Sequence, residues 1–168
     1  MRNPSPVPLP KGGEDEFMKI QLRAVNESDR DDILRWRNDP MTRQMSLNTE
    51  LITAQQHAEW FGKLLCDRQQ KAFMAENPMG EKVGMVRFKW LYDDTYEVDV
   101  NVAPEKRGRG LGTLMIMKGC QAMVVEKNVG QFFARIKAIN ERSLKSFLKA
   151  GFQQVDTIDE VNVFRFKV

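Results

Sequence analysis

The amino-acid sequence predicts an α/β fold in which helices pack against a central mixed, mostly antiparallel sheet of about seven strands. Three observations support this prediction. Several segments alternate apolar and polar residues as strands do, others carry helix-capping residues, and the two kinds of segment interleave along the chain. With 168 residues, of which 42% are hydrophobic and 29% charged, the chain has the length and composition of a single folded domain.

The first 17 residues are expected to lie outside that domain. They carry proline at positions 4, 6, 8 and 10, followed by two glycines and three acidic residues. This composition is typical of an extended or flexible tail. The predicted division is therefore a tail over 1–17 and a single domain over 18–168.

The part of the domain that precedes residue 70 is predicted to contain one strand and two helices. Residues 18–25 alternate apolar and polar side chains and form the first strand. Ser28 is placed to cap a helix that Pro40 ends, since proline lacks the N–H that a helix interior needs. Thr53 opens a second helix, which runs to residue 68, because the glutamine three positions later completes a capping box.

The rest of the chain interleaves strands with two further helices. Three alternating segments separated by short turns predict an antiparallel meander. A glycine-rich stretch then leads into a helix that ends near Lys127, and Gly151 ends the helix after it. The predicted strands cover 71–76, 82–92, 96–103, 131–139 and a hairpin over 152–167, and the last helix covers 140–149.

Charge and cysteine content argue against several classes of function. The net charge is only +3 and the basic residues are dispersed, so nucleic-acid binding is not expected. Cys66 and Cys120 have no metal-ligand spacing, so we expect reduced thiols and no metal site. No apolar run reaches the length of a membrane span and no signal peptide opens the sequence, so we expect a cytoplasmic protein without membrane contact.

The most informative segment is NVAPEKRGRGLGTLM, residues 101–115. Glycines let backbone N–H groups approach a ligand, and a helix start adds unpaired N–H donors, so the expected ligand is a phosphate. The spacing of Gly108, Gly110 and Gly112 does not match the dinucleotide motif G-x-G-x-x-G, and Thr113 lacks the preceding lysine of a P-loop. From this stretch alone, a glycine-rich turn with solvated charges stays an alternative.

Two separated motifs resemble those of the GNAT N-acetyltransferase superfamily. Arg107, Gly110 and Gly112 occupy the positions of its acetyl-CoA-binding motif, Arg/Gln-x-x-Gly-x-Gly/Ala. Downstream, NERSLKSFLKAGF (140–152) resembles the family's Asn-rich helix followed by Lys-x-Gly-Phe. The resemblance extends over nearly all of 18–168. It implies the GNAT fold, with four helices and a sheet that splays between its fourth and fifth strands.

The resemblance also implies acetyl-CoA as the cofactor and assigns residues to it. Backbone N–H groups from Arg107 to Thr113 would hold the CoA pyrophosphate, and the end of the 96–103 strand would bond the pantetheine amides. Asn140 would contact the pantetheine arm, and it is also placed to cap its own helix. The expected cofactor-binding residues are Asn101, Val102, Ala103, Arg107, Gly108, Arg109, Gly110, Leu111, Gly112, Thr113, Asn140, Ser143 and Phe147.

The candidate catalytic carboxylates lie on one predicted strand. Glu97, Asp99 and Asn101 alternate and therefore point to one face, which is either solvated surface or the wall of a cleft. Many family members draw the amine proton through water with a carboxylate on the fourth strand, and Glu97 matches that position. Asp99 would assist or bind the substrate ammonium. Phe147 stands where many relatives have a tyrosine that protonates the thiolate, so that role is vacant or moves elsewhere.

The acceptor is expected to be an amine on a small molecule. The segments WRNDPMTRQMS and ITAQQHAEWF resemble parts of UDP-4-amino-sugar N-acetyltransferases of pseudaminic-acid-type pathways, which implies a nucleotide-linked amino sugar. Arg37, Asn38 and Arg43 would suit its diphosphate and hydroxyls. His57 shares a helix face with apolar residues, which is more typical of a packed core histidine, and it stays a second-choice base or sugar contact.

The sequence leaves other functions open. Acetyltransferases of protein N-termini and of polyamines share the WRND pattern, but such acceptors would favour an acidic groove, whereas Arg35, Arg37 and Arg43 lie on the predicted acceptor wall. A non-catalytic sensor that binds CoA would keep the same glycine loop. The expected assembly is a monomer or a homodimer.

Overall fold

The computed structural model describes residues 20–168, and the expectations for 1–17 and for the start of the first predicted strand lie outside these residues. No helix in the described part of the chain is both long and apolar enough to cross a membrane. The strands are β1 (Gln21–Ala24), β2 (Gln70–Glu76), β3 (Lys82–Tyr92), β4 (Thr95–Val102), β5 (Gln131–Lys137), β6 (Gln153–Ile158) and β7 (Val161–Lys167). The helices are α1 (Arg30–Arg37), α2 (Pro40–Met45), α3 (Ala54–Cys66), α4 (Leu111–Glu126) and α5 (Glu141–Lys149), with 3₁₀ turns at Glu27–Asp29 and Pro104–Lys106.

All of these strands join one sheet in the order β1-β2-β3-β4-β5-β7-β6. Neighbouring strands are antiparallel except β4 and β5, which run parallel. These two strands pair only near their starts, from Thr95 with Gln131 to Glu97 with Phe133, and they are unpaired with each other beyond that point. The predicted mixed sheet, open between its fourth and fifth strands, is confirmed.

Two apolar cores lie on opposite faces of the sheet. One surrounds α4 and contains Phe88, Val98 and Phe132, all essentially buried. The other contains Trp36 of α1 and Phe61 of α3. Because side chains alternate along a strand, the valines of β4 point toward α4 while its polar residues point toward the α1–α3 side. The polar site must therefore form on that second face.

Helix α2 was not predicted from the sequence. Pro40 ends α1 as expected, but it also takes the first position of α2, where its missing N–H costs nothing. Asp39 caps the new helix, since its Oδ2 accepts a hydrogen bond from the Thr42 N–H at 3.0 Å. The expected count of four helices is wrong by one, because a helix with no buried side chain leaves no apolar periodicity in the sequence.

A buried carboxylate anchors the start of α1 to the sheet. Asp29 is fully buried and accepts hydrogen bonds from Arg23 of β1 at 2.8 and 2.9 Å, and Lys82 of β3 lies 2.9 Å away. Burial would raise the pKa of Asp29, but hydrogen bonds from Arg23, the Asn26 N–H and Lys82 outweigh it and lower the pKa to about 2. The position of α1 therefore depends on an ionised group inside the protein.

Candidate active site

A cleft of about 620 Å³ opens where β4 and β5 separate. We call one side the loop half, which is formed by residues 106–113 and α5. We call the other side the helix half, which is formed by α1, α2, the segment 46–52, Trp60 and the facing side chains of β3–β5. The two halves differ in which atoms they offer to a ligand.

The loop half presents backbone donors. The N–H groups from Arg107 to Thr113 make no hydrogen bond with any described residue, and the next one, that of Leu114, donates to the Gly110 carbonyl at 3.3 Å. Gly108 and Gly110 have φ angles of 78° and 75°, and a Cβ added to either would meet no atom within 4 Å. The loop is therefore an open cradle of donors at the start of α4, suited to an anion such as a diphosphate.

Helix α5 closes the loop half from the side. Asn140 caps α5, as the sequence predicts, by accepting a hydrogen bond from the Ser143 N–H at 3.2 Å. A Cβ on Gly112 would lie 3.2 Å from Ser146 Oγ, so a glycine here permits the close approach of α4 and α5. Phe147 is 2% exposed, and its ring packs edge-on against another phenylalanine at 5.0 Å. Its main role is therefore to support the wall of the cleft.

Two of the predicted cofactor-binding residues do not line the cleft. Ala103 is fully buried, its N–H donates to the Val83 carbonyl at 2.9 Å, and its carbonyl accepts from the Lys106 N–H at 2.8 Å. The Ala103 N–H is therefore not free for a ligand, and the residue does not line the cleft, which corrects the prediction that it contacts the cofactor. Arg109 is exposed and lies outside the cleft lining. The predicted residues that do line it are Asn101, Val102, Arg107, Gly108, Gly110, Leu111, Gly112, Thr113, Asn140, Ser143 and Phe147.

The Arg107 side chain connects the loop half to the helix half. Its Nη2 donates to Asp39 Oδ2 at 2.8 Å and also to Thr42 Oγ1. Burial opposes ionisation of Asp39, but the bonds from Arg107 and the Thr42 N–H outweigh it and lower the pKa of Asp39. A single carboxylate therefore both caps α2 and holds the glycine loop against it.

Two carboxylates face the cleft from β4, and each is paired with an arginine of a neighbouring strand. Glu97 accepts hydrogen bonds from Arg135 of β5 on both its oxygens, at 3.0 and 3.1 Å. Asp99 pairs at 3.2 Å with Arg87, which is its cross-strand partner on β3. The polar face formed by Glu97, Asp99 and Asn101 is therefore the wall of a cleft rather than open surface.

Arg37 lines the helix half without an acid partner among residues 20–168. Its guanidinium carbon lies 4.3 Å from the centroid of the Trp60 ring, and its Nη1 is buried with no hydrogen-bond partner in that range. Burial and the positive charge of Arg87 lower the pKa of Arg37, while Asp99 opposes this shift. Of the residues predicted to bind the acceptor, Arg37 is placed where it can contact a ligand.

Asn38 and Arg43, also predicted for the acceptor, have structural roles instead. Asn38 exchanges two hydrogen bonds with the backbone of Ile52, at 2.8 and 2.9 Å. The Nε of Arg43 donates to the Thr49 carbonyl at 3.1 Å. Both side chains hold the segment 46–52 in place, and neither lines the cleft. The prediction that they contact the acceptor is corrected, because neither side chain lines the cleft and both polar atoms of the Asn38 amide bond the backbone of Ile52.

His57 belongs to the core and not to the cleft. It is 1% exposed, its Nε2 lies 2.7 Å from the Arg30 carbonyl oxygen, and its ring centroid lies 5.5 Å from that of Trp60. Burial lowers the pKa of His57, although the bond to the Arg30 carbonyl opposes that shift. A general base must come within hydrogen-bond reach of the reacting amine. The structure therefore corrects the prediction of His57 as a base or sugar contact.

Several cleft residues were not predicted as site residues. Arg87 could have been identified from the sequence, because pairing the second and third strands of the predicted meander places it opposite Asp99. Trp60 packs against the core and also lines the cleft, and no motif in the sequence marked it as a site residue. Glu50 comes from a segment without periodicity, so no pattern identified it. The other cleft residues without a prediction include Lys106, Arg135, Arg142, Lys145, Ser146 and Lys149.

Comparison with protein families identifies the domain type. The family model described as "Acetyltransferase (GNAT) domain" matches residues 19–153, which include the glycine loop and α5. No curated protein sequence matches this chain.

Solved structures share the fold at low sequence identity. A domain from Methanocaldococcus jannaschii is 20% identical, with a TM-score of 0.79, and the match covers 89% of this chain and 99% of that one. Spermidine N-acetyltransferase from Vibrio cholerae, in complex with CoA and spermine, is 16% identical, with a TM-score of 0.80 and coverage of 90% and 95%. The aminoglycoside acetyltransferase AAC(6')-Ib, in complex with coenzyme A and kanamycin, is 19% identical, with a TM-score of 0.76 and coverage of 88% and 94%. At these identities the likeness concerns the fold and does not identify an acceptor.

Proposed function

This chain belongs to the GNAT acetyltransferase family, and from that premise we propose that it transfers the acetyl group of acetyl-CoA to a primary amine of a small molecule. The acceptor we propose is the amino group of a nucleotide-linked amino sugar. The observation that carries the proposal is the row of unpaired backbone N–H groups at the start of α4, in the same cleft as the paired carboxylates of β4.

The loop half has the features that the CoA diphosphate requires. The N–H groups of residues 107–113 lie at the N-terminus of α4, where the helix dipole also favours negative charge. Gly108 and Gly110 leave open space at this loop, since a Cβ added to either would meet no atom within 4 Å. Lys145 and Lys149 add positive charge along the α5 wall. These residues fit a diphosphate-bearing ligand.

The free edge of β4 is suited to the pantetheine arm. Beyond Glu97, β4 pairs with β3 on one side but no longer with β5 on the other. Backbone groups on that side can therefore bond the amides of an extended ligand, in the manner of an added strand. Asn101 and Val102 line the cleft at this edge.

Glu97 is the group we assign to proton removal. When bound, acetyl-CoA supplies the acetyl group as a reactive thioester. An amine attacks only in its uncharged form, so a base must take its proton, directly or through water. The two hydrogen bonds from Arg135 hold the Glu97 carboxylate in a fixed orientation at the point where β4 and β5 part. Asp99, farther along the same face, is assigned to bind the incoming ammonium.

The departing thiolate needs a proton donor other than Phe147. A phenylalanine has no acidic hydrogen, and this one is buried. Ser143 and Ser146 line the cleft, but hydroxyl groups are weak acids. We infer that water or a backbone N–H assists departure, so that proximity and electrostatic stabilisation supply most of the acceleration.

The helix half supports an acceptor that carries phosphate. Glu97 and Asp99 are each bound to an arginine, which leaves the charge of Arg37 uncompensated. A polyamine or a peptide N-terminus is the runner-up acceptor. The feature that favours these is Glu50, a cleft carboxylate with no ion pair in the described part of the chain.

A thiol-release assay with an acceptor panel tests the proposal. A UDP-linked 4-amino sugar, spermidine and an N-terminal peptide are each supplied with acetyl-CoA, and acetyl-CoA binding is measured in parallel by calorimetry. We expect the amino sugar to give a kcat/KM about tenfold or more above the others, the range that one well-placed polar contact provides. A preference for spermidine or the peptide would refute the amino sugar as the acceptor and would retain the proposal of acetyl transfer. Binding without release for every amine would overturn the transfer and favour a CoA sensor.

A further inference from the structure

We propose that the helix half contains an oxyanion subsite, formed by Arg37 with Trp60 and Arg87, which binds a carboxylate or phosphate group carried by the acceptor amine. This inference rests on the proposed function, because it takes the bound amine to be the acetyl acceptor. The subsite itself does not require a nucleotide. It narrows the substrate class to primary amines that bear an acidic group close to the amine.

The first support is the unpaired state of Arg37. Its Nη1 is buried and has no hydrogen-bond partner in residues 20–168, although Arg37 lines the cleft. A half-buried guanidinium without an anion is unfavourable, because its lost hydration is not replaced by a charged partner. An oxyanion in the cleft would compensate the positive charge through the part of the guanidinium that lines the cleft, and a guanidinium can bind a carboxylate or phosphate through two parallel hydrogen bonds.

The second support is the local charge balance. The guanidinium carbons of Arg37 and Arg87 lie 4.3 and 5.5 Å from the centroid of the same Trp60 ring. Asp99 is the acid near this pair, and it is bonded to Arg87 at 3.2 Å. Two cations and one anion leave a net positive charge beside an aromatic face. That combination suits one added negative charge.

The third support is the position of the subsite relative to the proposed base. Asp99 interacts electrostatically with both Arg37 and Arg87. Glu97 is two residues before Asp99 on the same strand face, a separation of about 7 Å along the strand. An acid group held at Arg37 would therefore leave a small acceptor's amine within reach of Glu97. The spacing fits an amine and an acid separated by a few bonds or by one sugar ring.

The charge of the subsite can be compared with the ligands held by two structures of the same fold. Those structures hold spermine and kanamycin, which are polycations. A polycation in this cleft would bring positive charge against Arg37. The charge pattern here therefore disfavours acceptors of that kind.

The first experiment uses inorganic phosphate as the probe and needs no turnover. The full chain is saturated with CoA, so that the glycine loop is filled, and phosphate binding is measured by calorimetry and thermal shift. Three variants are compared with the wild type: Arg37→Met, which keeps an unbranched apolar stem against Trp60; Arg37→Lys, which keeps the charge; and Arg68→Met, an arginine outside the cleft.

We expect phosphate to bind the wild type and the Arg68→Met variant equally. Binding should be about tenfold or more weaker in Arg37→Met and intermediate in Arg37→Lys, as for loss of a charge-assisted pair. Absence of phosphate binding to the CoA-saturated wild type, or equal binding by Arg37→Met, would overturn the subsite. Thermal melts without phosphate show whether each variant is folded.

The second experiment compares matched acceptors in the thiol-release assay. Glucosamine 6-phosphate is set against glucosamine, and 2-aminoethyl phosphate against ethanolamine. The phosphorylated member should have a kcat/KM about tenfold or more higher, and Arg37→Met should remove that ratio without changing the KM for acetyl-CoA. Phosphate binding at Arg37 without acetylation of any amine would refute the proposed function and keep the subsite. Acetylation of amines with no preference for the phosphorylated member, together with no phosphate binding, would refute the subsite and keep the proposed function.

Discussion

The two halves of the cleft are built from different parts of the chain. The loop half offers main-chain N–H groups from one continuous stretch, residues 107–113, at the start of α4. The helix half offers side chains that converge from α1, α3 and three strands, with Arg37, Trp60 and Glu97 among them. Every residue except proline has a backbone N–H, so most substitutions in the loop half keep its hydrogen-bond donors. A substitution there is expected to weaken ligand binding mainly when it adds a bulky side chain. The helix half changes its chemistry with each substitution.

Gly110→Trp should have the largest effect, because it adds bulk to the loop half. Gly110 lines the cleft and has open space around it, so an indole there would compete with a ligand for that space, and we expect acetyl-CoA affinity to fall by about 100-fold or more. Gly80→Trp is the matched control, since Gly80 has a similar φ of 77° and equally open surroundings in the β2–β3 turn. Calorimetry measures both. Equal losses in the two variants would mean that backbone strain, and not the ligand site, is responsible.

Glu97→Gln should come next and should act on the helix half alone. Removing the base is expected to lower kcat by about 100-fold, while the affinity for acetyl-CoA stays within about twofold of the wild type. Glu59→Gln on the exposed face of α3 is the control. Steady-state kinetics and calorimetry on the same samples separate the two effects. Parallel losses of kcat and affinity would remove Glu97 from the chemistry.

Acid should weaken the support of the helix half through Asp29, on which α1 depends. The pKa of Asp29 is about 2 in the folded protein, below its ordinary value of 3.8. The stabilisation is therefore complete above pH 4 and is lost as the pH falls toward 2, a contribution of about 2 kcal/mol to the free energy of unfolding.

Urea denaturation at several pH values measures this contribution. The Asp29→Asn variant should be less stable at neutral pH and should lose less stability than the wild type between pH 4 and pH 2. Identical slopes in the two proteins would show that Asp29 does not carry the effect.

Asp39→Asn should give the smallest change, because it alters only the link between the halves. Asparagine caps a helix about as well as aspartate, but it loses the charge that pairs with Arg107. We expect acetyl-CoA affinity to fall by about fivefold with α2 intact, the size of one charge-assisted bond at a half-exposed site. Asp67→Asn, after α3, is the control. Unchanged affinity would indicate that the loop keeps its shape without this contact.

The same contrast explains how much of the site was predictable. The loop half is encoded by consecutive residues, so the glycine-rich stretch and the Asn140 cap could be found in the sequence, and the resemblance to the GNAT motif assigned the stretch to CoA. Alternation along β4 likewise set Glu97 and Asp99 on one face. Local patterns of this kind also predicted the order of strands and helices along the chain, whereas the opening of the sheet was implied by the resemblance to the GNAT superfamily.

What could not be predicted depends on contacts between distant residues. The sequence alone does not distinguish Arg37, Asn38 and Arg43, which are all polar residues near a helix end. The segment 46–52 bonds the Asn38 amide and the Nε of Arg43, and of the three residues only Arg37 lines the cleft. Ala103 follows a strand that reaches the ligand edge, but its N–H is already bonded to Val83. Such competition for hydrogen bonds has no signature in a linear sequence.

The bond between Asp39 and Arg107 has a practical consequence for directed evolution. A mutant library meant to broaden the range of amines would naturally sample α2 and the segment 46–52, which line the helix half of the cleft. Position 39 begins that region, yet its carboxylate also steadies the glycine loop. We expect clones altered there to bind the coenzyme more weakly whatever their amine preference, by about fivefold for Asp39→Asn, so randomisation that spares residues 39 and 42 should recover more active clones.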